Sequence, residues 1–278
     1  MKKTVDNNDI MTLKSSIVTE QWKNVLKQSG YEHSVSSSRD ILKIKKFSRL
    51  WRRILKYIHM PAQSKPKILE IGCGGGKHIA SFALNNWKCT GIDCSEDVLE
   101  RAARYLDAIS NISQKSLDVN LFCSDVQEFN TSDRFDIVFH VGVLEHFLNT
   151  RTRLTILKKM FDFTKCNGYV IHVVPNGVHP ARYQMRLKGL GGYDIPEIDY
   201  DCKSLADELR KSLSDEVVVL PHNLFSYLLY GHHGRFKRII NAAFYYTWQI
   251  VPMGLLPAKF SFRYAGTLIG IAKKTASP

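Results

Sequence analysis

The 278-residue chain has six cysteines, at positions 73, 89, 94, 123, 166 and 202, and none of them forms a CxxC pair or a zinc-ligand spacing. That excludes the small zinc-bound folds. Several of these cysteines fall in or next to expected strands, where a free thiol packs as a small apolar group in a reducing cytoplasm. Adjacent His232 and His233 have no third ligand nearby, so no metal is expected. Long apolar runs are also missing. Between residues 239 and 258, Asn241, Gln249, Pro252 and Pro257 interrupt the only candidate span. That segment is expected to be a buried or substrate-lining cover, with peripheral membrane contact left open. The first nine residues are largely polar, so no secretory signal is expected. No internal repeat or low-complexity tract occurs.

What is present begins at Ile68-Leu69-Glu70-Ile71-Gly72-Cys73-Gly74-Gly75-Gly76. An apolar run reaches an acid and then breaks into glycines at alternate positions. A buried parallel strand turns into a helix this way, leaving backbone exposed for a ligand. A P-loop is excluded, because Ile71 stands five residues before Gly76 and His78 follows Lys77 where Ser or Thr is required. The dinucleotide spacing also fails: its third glycine would fall on Lys77 or on Ile79. The pattern that fits is acidic-x-Gly-x-Gly-x-Gly at Glu70, Gly72, Gly74 and Gly76.

Further strands follow. Residues 87–93 end in Asp93, followed by Cys94. Ser95 is placed to cap a helix over 96–108, with Val98, Leu99, Ala102 and Leu106 on one face. Residues 119–123 lead into Ser124-Asp125-Val126. Residues 135–140 lead through His140 and Val141 to Gly142-Val143-Leu144-Glu145-His146-Phe147, and residues 168–176 give a fifth strand. A helix over 204–213, a sixth strand over 217–220 and a last strand over 263–273 complete the alternation. Strands alternating with helices imply a doubly wound α/β fold with ligands at the strands' carboxyl ends.

Glu70, the three glycines, Asp93 and Asp125 in this order resemble the class I S-adenosylmethionine-dependent methyltransferases over about 110 residues. The resemblance implies a Rossmann-like seven-stranded sheet, mostly parallel with an antiparallel last strand at the edge, and S-adenosylmethionine as cofactor. It implies cofactor contacts at Glu70, Gly72, Cys73, Gly74, Gly76, Asp93, Cys94, Asp125, Val126, His140 and Val141. Asp93 would accept from both ribose hydroxyls and Asp125 from the adenine amino group, with the Val126 N–H reading a ring nitrogen. Cys73 is expected there only as a small residue, and His140 has the alternative of facing solvent.

A hydroxyl nucleophile needs a proton acceptor. His146 is the first candidate, Glu145 the second, and His140 and His179 follow. The expected reaction is O-methylation of a small or medium-sized acceptor, anionic or linked to a lipid or nucleotide. Leu144-Glu145-His146-Phe147 also resembles a segment of the cyclopropane-fatty-acid synthases, which keeps lipid methyl transfer as an alternative. RNA methylation is another, although no RNA-binding module and no Asn-Pro-Pro-Tyr-like motif is present. A non-catalytic cofactor-binding membrane adaptor is the third. No obligate protein partner is evident.

Charge divides the chain into three expected parts. Lys and Arg outnumber Asp and Glu by 13 to 5 in residues 1–60, match them 13 to 13 in 61–176, and lead 13 to 8 in 177–278. A neutral cofactor-binding core over 61–176 would thus lie between a helical N-terminal cap and C-terminal insertions that cover substrate. Basic flanks suit an anionic substrate, a membrane surface or a nucleic acid. Residues 10–28 read as helical. Residues 39–60 place Phe47, Leu50, Trp51, Ile54, Leu55 and Ile58 at helical spacing opposite six basic residues, as a helix packed on the core or a basic lid. The 30–34 loop is placed to close over the cofactor.

Overall fold

The computed structural model describes residues 20–22, 24, 32–60, 65–187, 195–212, 216–229, 234–251 and 253–275. Of the expected helix over 10–28, only residues 20–22 and 24 are described, and they are helical. Gly30, Tyr31, Lys188, Leu190, Gly231, His232 and His233 lie outside the described residues.

The sheet consists of β1 (Lys67–Ile71), β2 (Lys88–Asp93), β3 (Val119–Cys123), β4 (Phe135–Val141), β5 (Thr164–Pro175), β6 (Val217–Leu224) and β7 (Ala265–Lys273). Its seven strands run in the order β3-β2-β1-β4-β5-β7-β6. The pairs β1–β2, β1–β4, β2–β3 and β4–β5 are parallel, whereas β7 is antiparallel to both β5 and β6. From β1 the chain winds outward to β2 and β3, then returns and winds the other way through β4 and β5. The crevice at the carboxyl ends of β1 and β4 is therefore the topological switch point, where this architecture binds ligands.

β1 and β4 are buried on both faces, and their side chains alternate between two cores. Ile68, Ile137 and Phe139 join Phe82 and Trp51 on one face. Leu69, Ile71 and Val138 join Ile156, Met160 and Leu205 on the other. Each such fully buried aliphatic or Phe side chain stabilises the fold by roughly 1.5–3 kcal/mol. The helices on these faces are α3 (Lys77–Leu84), α4 (Glu96–Ser113), α5 (Thr150–Phe163) and α7 (Cys202–Ser212).

Several elements differ from their sequence expectation. α4 is five residues longer than 96–108, and Ser95 occupies its N-cap without a side-chain capping bond. β6 continues past residue 220 through Pro221, because it is an edge strand and a missing N–H there breaks no second ladder. β7 is antiparallel as expected but lies between β5 and β6, so β6 forms the edge. A further helix without a counterpart in the sequence reading, α6 (Pro180–Leu187), follows β5. The 39–60 flank is two helices, α1 (Ser38–Lys45) and α2 (Arg49–Ile54), because the Ser48 hydroxyl accepts from the Trp51 N–H and restarts the chain. Ile41, Trp51, Ile54 and Ile58 are buried, and Trp51 Nε1 donates to His78 Nδ1 at 3.0 Å. This flank is packed on the core, with Lys45, Lys46, Arg52 and Lys56 in solvent.

The expected cover between β6 and β7 forms α8 (Arg235–Trp248) and α9 (Ala258–Tyr264). It is not buried. Tyr245 alone of the described α8 side chains is buried, and Phe236 and Ile239 are among the exposed apolar ones. Among the described residues, no helix is long and apolar enough to cross a membrane.

Candidate active site

A cavity of about 790 Å³, including its open mouth, lies at the switch point. Its floor comes from Ile71, Gly72 and Gly74 after β1, and from Ile92, Asp93 and Cys94 at the end of β2. Ser124, Asp125 and Val126 after β3 close one side. Val141, Gly142, Val143, His146 and Phe147 after β4 close the other, and Trp22 completes the lining. A largely preformed cavity of this size suits a drug-sized or cofactor-sized ligand.

The glycine turn exists for steric reasons that the geometry makes explicit. Gly72 has φ +64°, and a Cβ there would come 2.6 Å from Val143 Cγ2. Only glycine lets the turn after β1 approach the loop after β4 so closely. Gly74 donates its N–H to Asp93 Oδ2 at 2.9 Å, and Ser95 N–H donates to Asp93 Oδ1 at 3.1 Å. The two bonds fix the Asp93 carboxylate in the cavity wall. Burial raises its pKa, against these backbone bonds, which lower it. Asp125 Oδ1 accepts from Gln127 N–H at 2.8 Å, which orients that carboxylate from its own turn.

Of the residues expected to touch the cofactor, Gly72, Gly74, Asp93, Cys94, Asp125, Val126 and Val141 line the cavity. Four others do not. Glu70 is buried beneath the turn; burial and the neighbouring Asp93 push its pKa well up, against the opposing pull of the Ile79 N–H in the first turn of α3. Cys73 turns toward β2, where its Sγ would lie 2.8 Å from a Cβ on Gly91, so the glycine in that strand makes room for it. Gly76 has φ +76°, and a Cβ there would lie 3.3 Å from Ala102 Cβ, so it serves the contact of α3 with α4.

His140 is fully buried, facing neither the cavity nor solvent. Side chains alternate along β4, so the cavity-facing residue is Val141, and His140 points the other way. Its ring packs edge-on against His172 at 4.3 Å, and burial lowers its pKa to about 3. Neither of its ring nitrogens has a hydrogen-bond partner among the described residues.

The two expected bases lie together on a one-turn 3₁₀ helix, Leu144–His146. His146 Nδ1 stands 3.2 Å from the Pro196 carbonyl oxygen. A carbonyl only accepts, so Nδ1 carries the proton and Nε2 keeps its lone pair. Trp22 packs edge-on against the imidazole at 4.9 Å, and burial lowers the His146 pKa. Glu145 lies behind the cavity wall and does not line it. Burial pushes its carboxyl up to about 8, so at neutral pH it is mostly protonated. His179, the weaker candidate base, is also buried outside the cavity lining, and its ring packs on Tyr227.

Sequence reasoning did not anticipate Glu197, Trp22 or the inward role of Arg182. Glu145, His146 and Glu197 each bring one donor atom to within 4.8 Å of the others. Arg182 caps this group. Its guanidinium bonds Glu197, reaches Asp199 at 3.4 Å and donates to the Tyr227 hydroxyl at 2.9 Å. The Arg182 guanidinium on Glu197 and the raised pKa of Glu145 set the charge of this group. Arg153 then fixes the loop: it pairs with Glu208 at 2.7 Å and donates to the Phe147 and Leu148 carbonyls at 2.7 and 3.0 Å.

The glycine turn and the acids at the ends of β2 and β3 meet in one cavity at the switch point. Its carboxylates suit hydroxyl and amino donors, and Ile92 and Val126 suit a flat base. Residues 68–168 match the family model described as a methyltransferase domain, and the seven-stranded sheet has the Rossmann-like methyltransferase fold. Structures of the same fold include one solved with S-adenosyl-L-methionine bound.

Among curated proteins, the chain is 25% identical over 161 residues to the ubiquinone biosynthesis O-methyltransferase of Rickettsia akari, covering 58% of this chain and 54% of that one. It is 36% identical over 95 residues to the protein of that name from Coxiella burnetii, covering 33% and 38%. The chain thus spans about half, or less, of the curated relatives it matches. Solved structures share the fold. An S-adenosylmethionine-dependent methyltransferase from Archaeoglobus fulgidus superposes with TM-score 0.55 at 16% identity, covering 84% of this chain and 94% of that one. Phosphoethanolamine N-methyltransferase 2 of Haemonchus contortus superposes with TM-score 0.53 at 14% identity, covering 95% and 58%.

Proposed function

We propose that this chain methylates a hydroxyl group on a small or medium-sized apolar, aromatic acceptor, with His146 as the proton acceptor. The observation that carries the reading is the His146 tautomer. Its Nδ1–H is committed to Pro196, so the opposite nitrogen of a cavity-lining imidazole is free to take a proton. The O-methyltransferase names of the Rickettsia and Coxiella relatives support oxygen as the target.

When bound, S-adenosylmethionine supplies an electrophilic methyl group on a positively charged sulfur. The chain would hold it through Asp93, Asp125 and the turn from Gly72 to Gly74. Trp22, Val143 and Phe147 give the acceptor side apolar walls that exclude water and favour a flat ring. Holding reactants in line in such a site contributes up to about 7–11 kcal/mol. A phenolic hydroxyl has a pKa near 10, well above that of a buried imidazole. Proton transfer to His146 therefore becomes favourable only as the oxygen is methylated, which is general-base catalysis. The mainly protonated Glu145 and the Arg182–Glu197 pair line the back of the imidazole and set the field it works in.

The described cavity wall contains no Lys or Arg. This supports an acceptor whose reacting end is uncharged, with any anionic or lipid-linked part outside. The test is a turnover assay with S-adenosylmethionine and a panel of phenols and catechols, with and without lipid tails, read as formation of demethylated cofactor. Turnover of at least one phenol is expected. Calorimetric binding of the demethylated cofactor with no turnover across the panel would overturn the acceptor reading and leave the cofactor site standing.

A further inference from the structure

No Lys or Arg of the basic flanks lines the described cavity wall, so the partner of those charges lies elsewhere. We infer that α8 docks this protein on an anionic lipid bilayer surface. Along α8, Phe236, Ile239, Ile240, Ala243 and Phe244 recur at i, i+3, i+4, i+7 and i+8, the spacing of one helix face. In an ordinary surface helix that face would be turned to the core. Here it is turned to solvent: Phe236 is 77% exposed and Ile239 64%, while the buried Tyr245 lies on the opposite side. Just beyond the helix, Ile250 and Leu255 are also exposed, at 81% and 78%.

Charge selects the occupant. From Val217 to the last residue the sequence has no Asp or Glu and seven Lys or Arg. Lys237 and Arg238 are exposed on α8 itself, and Lys259 follows on α9. An apolar stripe bordered by cations lies in a bilayer interface and is drawn to anionic headgroups. A second copy of this chain fits poorly, because a symmetric contact through this face would bring the same cations together. At 14 residues α8 is too short to span, so it lies along the surface.

The helix is held firmly enough to carry the molecule. Asn241 Nδ2 donates to the Leu228 carbonyl at 3.0 Å, Gln249 Nε2 donates to the Leu224 carbonyl at 2.9 Å, and the Tyr245 hydroxyl donates to Asn223. The same 226–229 turn carries Tyr227, the partner of Arg182.

Co-sedimentation of the full chain with vesicles tests the inference without any acceptor. Binding to phosphatidylcholine vesicles containing phosphatidylglycerol should exceed binding to pure phosphatidylcholine at least tenfold and weaken at high salt. Ile239→Asp with Ile240→Asp should lower it at least tenfold. Lys237→Glu with Arg238→Glu should lower it while leaving the apolar stripe in place. Unchanged calorimetric affinity for the demethylated cofactor would show that both variants are folded. Absence of vesicle binding, equal binding to both vesicle types, or variants that bind like the parent would overturn the inference. So would a dimer, seen by ultracentrifugation and lost in the Ile239→Asp/Ile240→Asp variant, in a protein that ignores vesicles.

Discussion

The Asp93 carboxylate accepts from Gly74 and Ser95 while lining the cavity, so it shapes the glycine turn and presents its remaining lone pairs to a ligand. Hydrogen bonds to a charged group are worth about 1.5–3 kcal/mol each, so Asp93→Ala should weaken binding of the demethylated cofactor roughly 10- to 100-fold by titration calorimetry. An unchanged affinity would remove Asp93 from the site. His146 should behave differently. With its Nδ1–H held by Pro196, the ring acts on the acceptor's proton, and His146→Gln should lower kcat by about 10²–10⁴ with little change in cofactor affinity. Burial lowers the pKa of this imidazole below its ordinary value of about 6.5, so it stays neutral down to mildly acidic pH. The parent enzyme's kcat should therefore be flat through neutrality and fall only below that value. A kcat that continues to rise well above pH 7 would point to another base.

At the level of elements, the loop after β4 is held by a side chain from α5. Arg153 ties the Phe147 and Leu148 carbonyls and Thr150 to Glu208 on α7, and Tyr200 donates to the other Glu208 oxygen. Arg153→Met would leave Glu208 buried without its cation, and removing one partner of a buried pair costs about 3–5 kcal/mol. Urea unfolding should register that loss, and a midpoint within error of the parent would show that solvent reaches the pair. None of this was legible in the sequence, because residues 147, 153, 200 and 208 meet only through tertiary packing. The strands were legible for the opposite reason: near-continuous apolar runs ending in glycine or an acid are local signals. So were the turn at Gly72 and the acids Asp93 and Asp125. Sequence did not reveal which side of β4 faces the crevice, and a shift of one residue separates the cavity-lining Val141 from the core-buried His140. It also failed at the edge of the sheet, where the order of β6 and β7 depends on how the chain returns. Trp22 and Glu197 were missed because they reach His146 from segments far away in sequence.

Across the whole molecule, buried titratable groups fall into two sets that oppose each other. Burial holds His78, His179 and His222 near about 4, His140 near about 3, and His172 well below its ordinary value. In the unfolded chain each returns to about 6.5. Between about pH 4 and 6.5 the unfolded state therefore binds protons that the native state refuses, and stability rises with pH through that window. The buried carboxyls act the other way. Glu145 is held up to about 8, and Glu70 and Asp93 are also raised. Unfolded, they ionise near their ordinary values of about 4. Above that pH the native state keeps protons that unfolding releases, so stability falls as pH rises, until Glu145 ionises at about 8. These histidines, with His146 whose pKa burial also lowers, outnumber the three carboxyls on the acid side, and above the ordinary histidine range the carboxyls act without them. Thermal unfolding should therefore show its highest midpoint near pH 6.5, with lower values at pH 5 and at pH 8. Glu145→Gln cannot ionise, so it should flatten the alkaline side and steepen the rise between pH 5 and pH 6.5. A parent midpoint that climbs steadily from pH 5 to pH 8 would mean that these carboxyls are ionised in the native state.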